Sequence, residues 1–212
     1  MIQYKTTNKL FNGQYQYKVV LIVPGASVFR SGKMDVTLKL LEEVDLDRSQ
    51  YTATFYRANI KNRDDLDFAF KLCRVLSKME DIHIRVESPW VAVYTNSKKY
   101  VDKLIKIDQP RIKYVSVPAA NTALEEGTII LPKIDFEFKV TLGRNKSEVS
   151  AFVDWARENS KVKLTNSCID HLTRPGGSWG GSYFYITGEK NLLVAKMHLG
   201  GIINKVERVL KA

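Results

Sequence analysis

The residues best able to do chemistry in this chain are cations and aromatic rings. The most unusual stretch is Arg174-Pro175-Gly176-Gly177-Ser178-Trp179-Gly180-Gly181. Its glycines let the backbone approach another chain or a ligand closely. Arg174 supplies charge, Trp179 a stacking surface, and the segment that follows carries Tyr183, Phe184 and Tyr185. With Phe184 turned into a core, strand alternation sends Tyr183 and Tyr185 out of the opposite face. An arginine, a glycine-rich loop and outward rings suit single-stranded nucleic acid, whose bases stack and whose phosphates seek cations. A long hairpin whose Trp179 folds back onto the core is the competing reading, and both stay open.

A second basic cluster is Lys98, Lys99, Lys103 and Lys106 on one predicted helix, with Arg111 and Lys113 on the strand after it. Lys99, Lys103 and Lys106 share a helical face. They would form a phosphate-binding ridge or an ordinary solvated surface. The surplus of like charge around the lone Asp102 leans toward the ridge.

Other chemistries find little support. His83, His171 and His198 fall in different predicted elements without ligand spacing, and each reads as a structural histidine. Cys73 and Cys168 form no CxxC pair. Cys73 sits on the apolar face of a predicted helix and Cys168 in a predicted strand, which fits a reducing compartment. Neither GxxxxGK[ST] nor GxGxxG occurs, so neither a metal nor a cofactor is expected. The N-terminus lacks a hydrophobic signal region. No apolar run approaches the roughly 18 residues that would span a membrane. A cytoplasmic location without membrane contact is expected.

The whole chain is basic: 33 Lys/Arg against 23 Asp/Glu over 212 residues, a net charge of +10. Residues 1–118 hold 20 Lys/Arg and 13 Asp/Glu, or +7, and residues 119–212 hold 13 and 10, or +3. The charge is therefore not a tail on a neutral body. A polyanionic partner is the natural physical reading, since lysine and arginine displace phosphate counterions.

The elements that must position these groups follow an α+β pattern. Residues 15–23 read as a strand, with a turn at Asn12-Gly13 before it and a helix over 34–44 after it. Residues 51–60 read as a strand. Asn62 is placed to cap a helix, with Asp65 three residues on. Ile82, Ile84 and Val86 alternate with His83 and Arg85 as a half-buried strand, 90–95 returns, 98–107 is a helix and 111–117 a closing strand. The order β-α-β-β-α-β recurs: strand 134–142, a helix opened by Asn145 with Glu148 three residues later, strand 161–169, strand 182–187, helix 189–199 and strand 203–210. The predicted fold is two tandem ferredoxin-like βαββαβ repeats with antiparallel sheets. The first covers 51–118 and the second 133–212, joined by a linker at 119–132. A β-rich N-terminal extension with one helix, 1–50, packs on the first. Such a unit lays its helices on one sheet face and leaves the other open.

At the level of fold, this tandem order resembles the RAMP superfamily of CRISPR RNA-binding proteins and, more loosely, RRM modules. The resemblance spans roughly residues 51–212, and Gly176 to Gly181 is similar to the glycine-rich loop near the C-terminus of the RAMP nucleases. It implies RNA binding, and for some members metal-free RNA cleavage by a histidine base; no histidine here matches that place. Tyr100-Val101-Asp102-Lys103 is similar to the YxxK nucleophile of rolling-circle initiators, but His83-Ile84-Arg85 lacks their second metal-binding histidine.

The leading expectation is a nucleic-acid-binding protein, for single-stranded RNA or DNA, acting without catalysis. The strand would lie across the sheet faces or the cleft between the repeats. Its contacts would be Lys99, Lys103, Lys106, Arg111, Arg174, Trp179, Tyr183 and Tyr185. The alternatives are a RAMP-type metal-independent endoribonuclease and a protein-interaction module or inhibitor of a nucleic-acid machine.

Overall fold

Two apolar runs rich in β-branched valine and isoleucine, Val19-Val20-Leu21-Ile22 and Val91-Ala92-Val93, pair in the middle of the first of two sheets. The structure is a computed structural model and describes residues 2–44, 60, 62–119, 124–144, 149–174 and 180–211. The chain divides into two units, Met1–Ala123 and Leu124–Ala212. Among the described residues there are two five-stranded sheets and six α-helices, a mixed α+β architecture.

The first unit contains β1 (Tyr4–Thr7), β2 (Tyr17–Ile22), α1 (Met34–Glu42), α2 (Arg63–Leu76), β3 (Ile82–Glu87), β4 (Trp90–Thr95), α3 (Lys98–Ile107) and β5 (Ile112–Pro118). Its strand order is β1-β5-β2-β4-β3. Strand alternation divides the side chains between two faces. Val19, Leu21, Val91, Val93 and Val115 meet Leu66, Leu72, Cys73, Val101 and Leu104 of the helices. Val20, Ala92 and Tyr94 point the other way and gather Phe11, Tyr15, Trp90 and Tyr114. Helix α2 begins where its sequence says it should: the Asn62 side chain accepts the Asp65 N–H at 2.8 Å.

The second unit contains β6 (Thr128–Ile130), β7 (Phe138–Leu142), α4 (Ser150–Glu158), β8 (Val162–Leu164), α5 (Asn166–Thr173), β9 (Tyr183–Ile186), α6 (Glu189–Leu199) and β10 (Ile203–Leu210). Its order, β6-β10-β7-β9-β8, repeats the first unit strand for strand. In both, the first strand runs parallel to the last at one edge. The likeness extends to a β-bulge. Leu21 and Val20 pair with Ile112 and Tyr114, leaving Lys113 extra; Leu142 and Thr141 pair with Ile203 and Lys205, leaving Asn204 extra.

Several expectations are corrected. Neither sheet is wholly antiparallel, because β1 and β6 add parallel edges; short strands recruited by a partner far along the chain leave little local pattern. Residues 17–22, expected in an N-terminal extension, form the strand between β5 and β4 in the first sheet. The strand expected over 51–60 lies outside the described residues except for Ile60, which is buried. Residues 128–130, expected in the linker, form β6. Pro24-Gly25 leads into a 3-10 turn at Ala26–Phe29. Gly25 has φ +73°, and a Cβ there would overlap Ile60. The strand expected over 161–169 stops at Leu164, because Thr165 caps α5 by accepting the Cys168 N–H at 3.3 Å. Cys168 is thus helical and buried. Asn145 and Glu148 lie outside the described residues.

Candidate nucleic-acid interface

The face of the first sheet that carries no helix among the described residues collects rings and cations that the sequence scatters over a hundred positions. Cross-strand pairing puts Lys18 opposite Tyr94, Val20 opposite Ala92 and Tyr114, and Arg85 opposite Ala92. Lys18 Nζ lies between two rings, 5.4 Å from the Tyr94 centroid and 5.5 Å from that of Tyr114. Lys5 Nζ, from β1, sits 4.1 Å from the Tyr114 ring. Lys113 is the bulged residue of β5, and its Nζ is 3.0 Å from the Trp90 centroid. An extra residue in a strand re-aims its side chain. Here it puts Lys113 on the same face as Tyr114. Lys18, Arg85, Glu87, Trp90, Lys113 and Tyr114 help to line a depression over Val20 and Ala92.

One end of this face is closed. The turn bridging Phe11 and Tyr15 folds over Tyr94, with Phe11 at 5.6 Å and Tyr15 at 6.4 Å between centroids. Tyr94 is only 5% exposed beneath them. His83 stacks on Tyr15 at 6.3 Å. The other end, around Trp90, Lys113 and Tyr114, is half-buried and reaches solvent. Burial works against the charge on Lys18, but the phenols of Tyr114 and Tyr94 outweigh it and hold its pKa above the ordinary lysine value. Lys18 is a cation throughout the physiological range. Arg85 is engaged by Glu87 at 2.7 Å.

No family model, curated protein or solved structure matches the chain. Geometry alone therefore carries the functional argument.

The residues singled out from sequence fall in several places. Lys99, Lys103 and Lys106 are exposed on α3, whose buried residues Val101 and Leu104 join the core on the other side of the first sheet. They form a ridge, but one separated from the aromatic face by the sheet. Arg111 precedes β5 in a 3-10 turn, bonded to Asp65 at 2.8 Å and to Asp108 at 3.2 Å, with its guanidinium 4.6 Å from the Phe68 centroid. Its side chain is 23% exposed, and its groups are engaged in holding α2 to the start of β5. Arg174 is exposed at the end of α5. Trp179, Gly176 and Gly177 lie outside the described residues. Tyr183 and Tyr185 do project opposite Phe184: Phe184 joins the helix-side core, and the tyrosines pack with Phe136, Leu131 and Ile134. Tyr185 is covered, however, with 8% exposure and Phe136 stacked on it at 6.0 Å.

The YxxK pair is split from its histidine. Tyr100 and Lys103 ride on α3, the Tyr100 hydroxyl accepts the Glu80 N–H at 3.4 Å, and His83 lies across the sheet beside Tyr94. His171 is buried with Nδ1 2.9 Å from the Ser182 hydroxyl, and His198 stacks on Trp155 at 5.8 Å. No group of three or more acidic, histidine or cysteine side chains suited to a metal occurs among the described residues. No helix among them is long and apolar enough to cross a membrane.

Sequence reasoning missed Lys5, Lys18, Trp90, Tyr94 and Tyr114. A signal was present: Tyr17-Lys18-Val19-Val20-Leu21 and Phe138-Lys139-Val140-Thr141-Leu142 share the pattern aromatic, lysine, valine, β-branched, leucine.

Proposed function

We propose that this protein binds single-stranded nucleic acid, RNA or DNA, on the aromatic face of its first sheet and acts there without catalysis. One observation carries the reading: Lys5, Lys18 and Lys113 converge on the rings of Tyr114, Tyr94 and Trp90 on one sheet face. Lysine is depleted in strands, and Lys18 stands on a central one with its ammonium over two tyrosine rings, a cation and two stacking surfaces at one place, which suits such a ligand. Bases would exchange with the ammonium groups over the rings, while the ammonium groups move to the phosphates. The net charge of +10 suits the same partner. We read β2, β3, β4 and β5, with the helices that connect them, as a ferredoxin-like core carrying β1 as an added edge strand, and the second unit likewise. A cytoplasmic location goes with this reading.

His83 on the same face favours a second reading, a metal-independent ribonuclease with His83 as general base. Incubating RNA with the protein in chelator separates the two: discrete cuts lost in His83→Ala support the nuclease, and intact RNA removes it.

The test of binding is fluorescence anisotropy with labelled single-stranded RNA, single-stranded DNA and duplex DNA at several salt concentrations. Tighter binding of single strands, weakened by salt, is expected. Stacking is worth about 1–3 kcal/mol per base, so Trp90→Ala and Tyr114→Ala should each weaken it by about fivefold to 150-fold. No binding at low salt overturns the reading and directs the search to a protein partner.

A further inference from the structure

The second sheet carries the same lysine–tyrosine pair at the same structural position. Lys139 on β7 faces Tyr185 on β9, as Lys18 on β2 faces Tyr94 on β4. The bulge follows at the same step in both sheets. Within this repeated frame the residues around the pair differ. The position of Ala92 is taken by Tyr183, that of Tyr114 by Lys205, and that of His83 by Lys163. The buried member of the pair is capped in both cases, Tyr94 by Phe11 and Tyr185 by Phe136. Tyr183 is half-buried and stands edge-on to Tyr185 at 5.5 Å, with Lys139 Nζ 4.2 Å from its centroid. Lys163 is exposed on the adjoining strand. The buried carboxylate on this face, Glu207, is bonded by Lys205 at 2.8 Å and stands opposite Lys139, so three lysines, Lys139, Lys163 and Lys205, share the face with this one acid.

We propose that Tyr183, flanked by Lys139 and Lys163, is a second contact for the same single-stranded nucleic acid. This rests on the reading of the first sheet as a binding face. One accessible ring and a carboxylate among its lysines make it the weaker contact, gripping a strand already held by the first unit. Two weak contacts on one chain raise the affinity for a strand long enough to reach both, by effective concentration. A strand too short to reach both gains nothing.

The experiment compares a 5-nucleotide and a 30-nucleotide single strand on the intact protein, by anisotropy. The Lys163→Glu variant changes an exposed side chain, and Tyr183→Ala removes the ring, with Tyr183→Phe as the control that keeps it. The expected result is a loss of tenfold or more for the long strand with either Lys163→Glu or Tyr183→Ala, little change for the short strand, and retention of binding with Tyr183→Phe. Unchanged long-strand affinity in Lys163→Glu and Tyr183→Ala, while Trp90→Ala weakens both strands, overturns the second contact and leaves the first standing. Failure of the unsubstituted protein to bind either strand overturns both.

Discussion

At the scale of the residue, side chains that look alike in sequence are assigned different work. Arg111 and Lys113 are two positions apart, yet Arg111 is bound to Asp65 and Asp108 while the bulge sends Lys113 to Trp90. Arg111→Ala leaves Asp65, largely buried, without its cation. It should cost about 1–3 kcal/mol in chemical denaturation while leaving nucleic-acid affinity nearly unchanged. Lys113→Ala should do the reverse. Each lysine that neutralises a phosphate contributes about 0.7 to the slope of log affinity against log salt for a single strand. Lys18→Ala with Lys113→Ala should therefore flatten that slope by about 1.4, and an unchanged slope would place the phosphates elsewhere. Cys168 offers a check of the second core. Burial pushes its thiol up to about 12. The unfolded chain releases this proton near the ordinary thiol pKa, so folding stability should fall as pH rises from about 9 toward 12. Cys168→Ala should lessen that fall, and iodoacetamide at pH 8 should label Cys168 only under denaturing conditions.

At the scale of the element, local signals were legible wherever the decision is local. The Asn62 cap, the Ile82–Glu87 alternation, the Lys98–Ile107 helix and the Glu189–Leu199 helix all follow from capping and periodicity. Helix α5 escaped because Val162 and Leu164 continue as a β-like run until Thr165 turns its side chain back to the Cys168 N–H. The Thr165 hydroxyl is also bonded to the Tyr183 carbonyl at 2.7 Å, tying the start of α5 to β9. Thr165→Ala should cost about 1–2 kcal/mol, read from a thermal or denaturant transition. A cost near zero would mean the cap is not what starts the helix. Strands β1 and β6 were illegible for a different reason. They are four and three residues long and are defined by pairing with strands at the far end of their units. No local periodicity records such a contact.

At the scale of the whole molecule, a mixed α+β chain of two sheet-and-helix units was legible, but the place of Tyr17–Ile22 inside the first sheet was not. A run of β-forming residue types at 51–60, outside the described residues but for Ile60, competes in the sequence with 17–22, the segment that occupies the central place in the sheet. That competition hides the site. As an outlying strand Tyr17–Ile22 gives Lys18 no reason to face Tyr94 or Tyr114, and the α3 lysines are then the denser cationic cluster in the sequence. The basic charge suggests a polyanion but does not say which face would receive it, because charge counts carry no geometry. The two sheets then divide the proposed work: an open aromatic and lysine face in the first, and a single accessible tyrosine in the second.

The most direct test is to photocrosslink a single-stranded oligonucleotide carrying 4-thiouridine to the intact protein and map the adducts by mass spectrometry. Adducts are expected at Trp90, Tyr114 and Lys113, lost when excess unlabelled strand competes. Adducts confined to Lys99, Lys103 and Lys106 on α3 would contradict the proposal and move the interface to the helical side of the sheet.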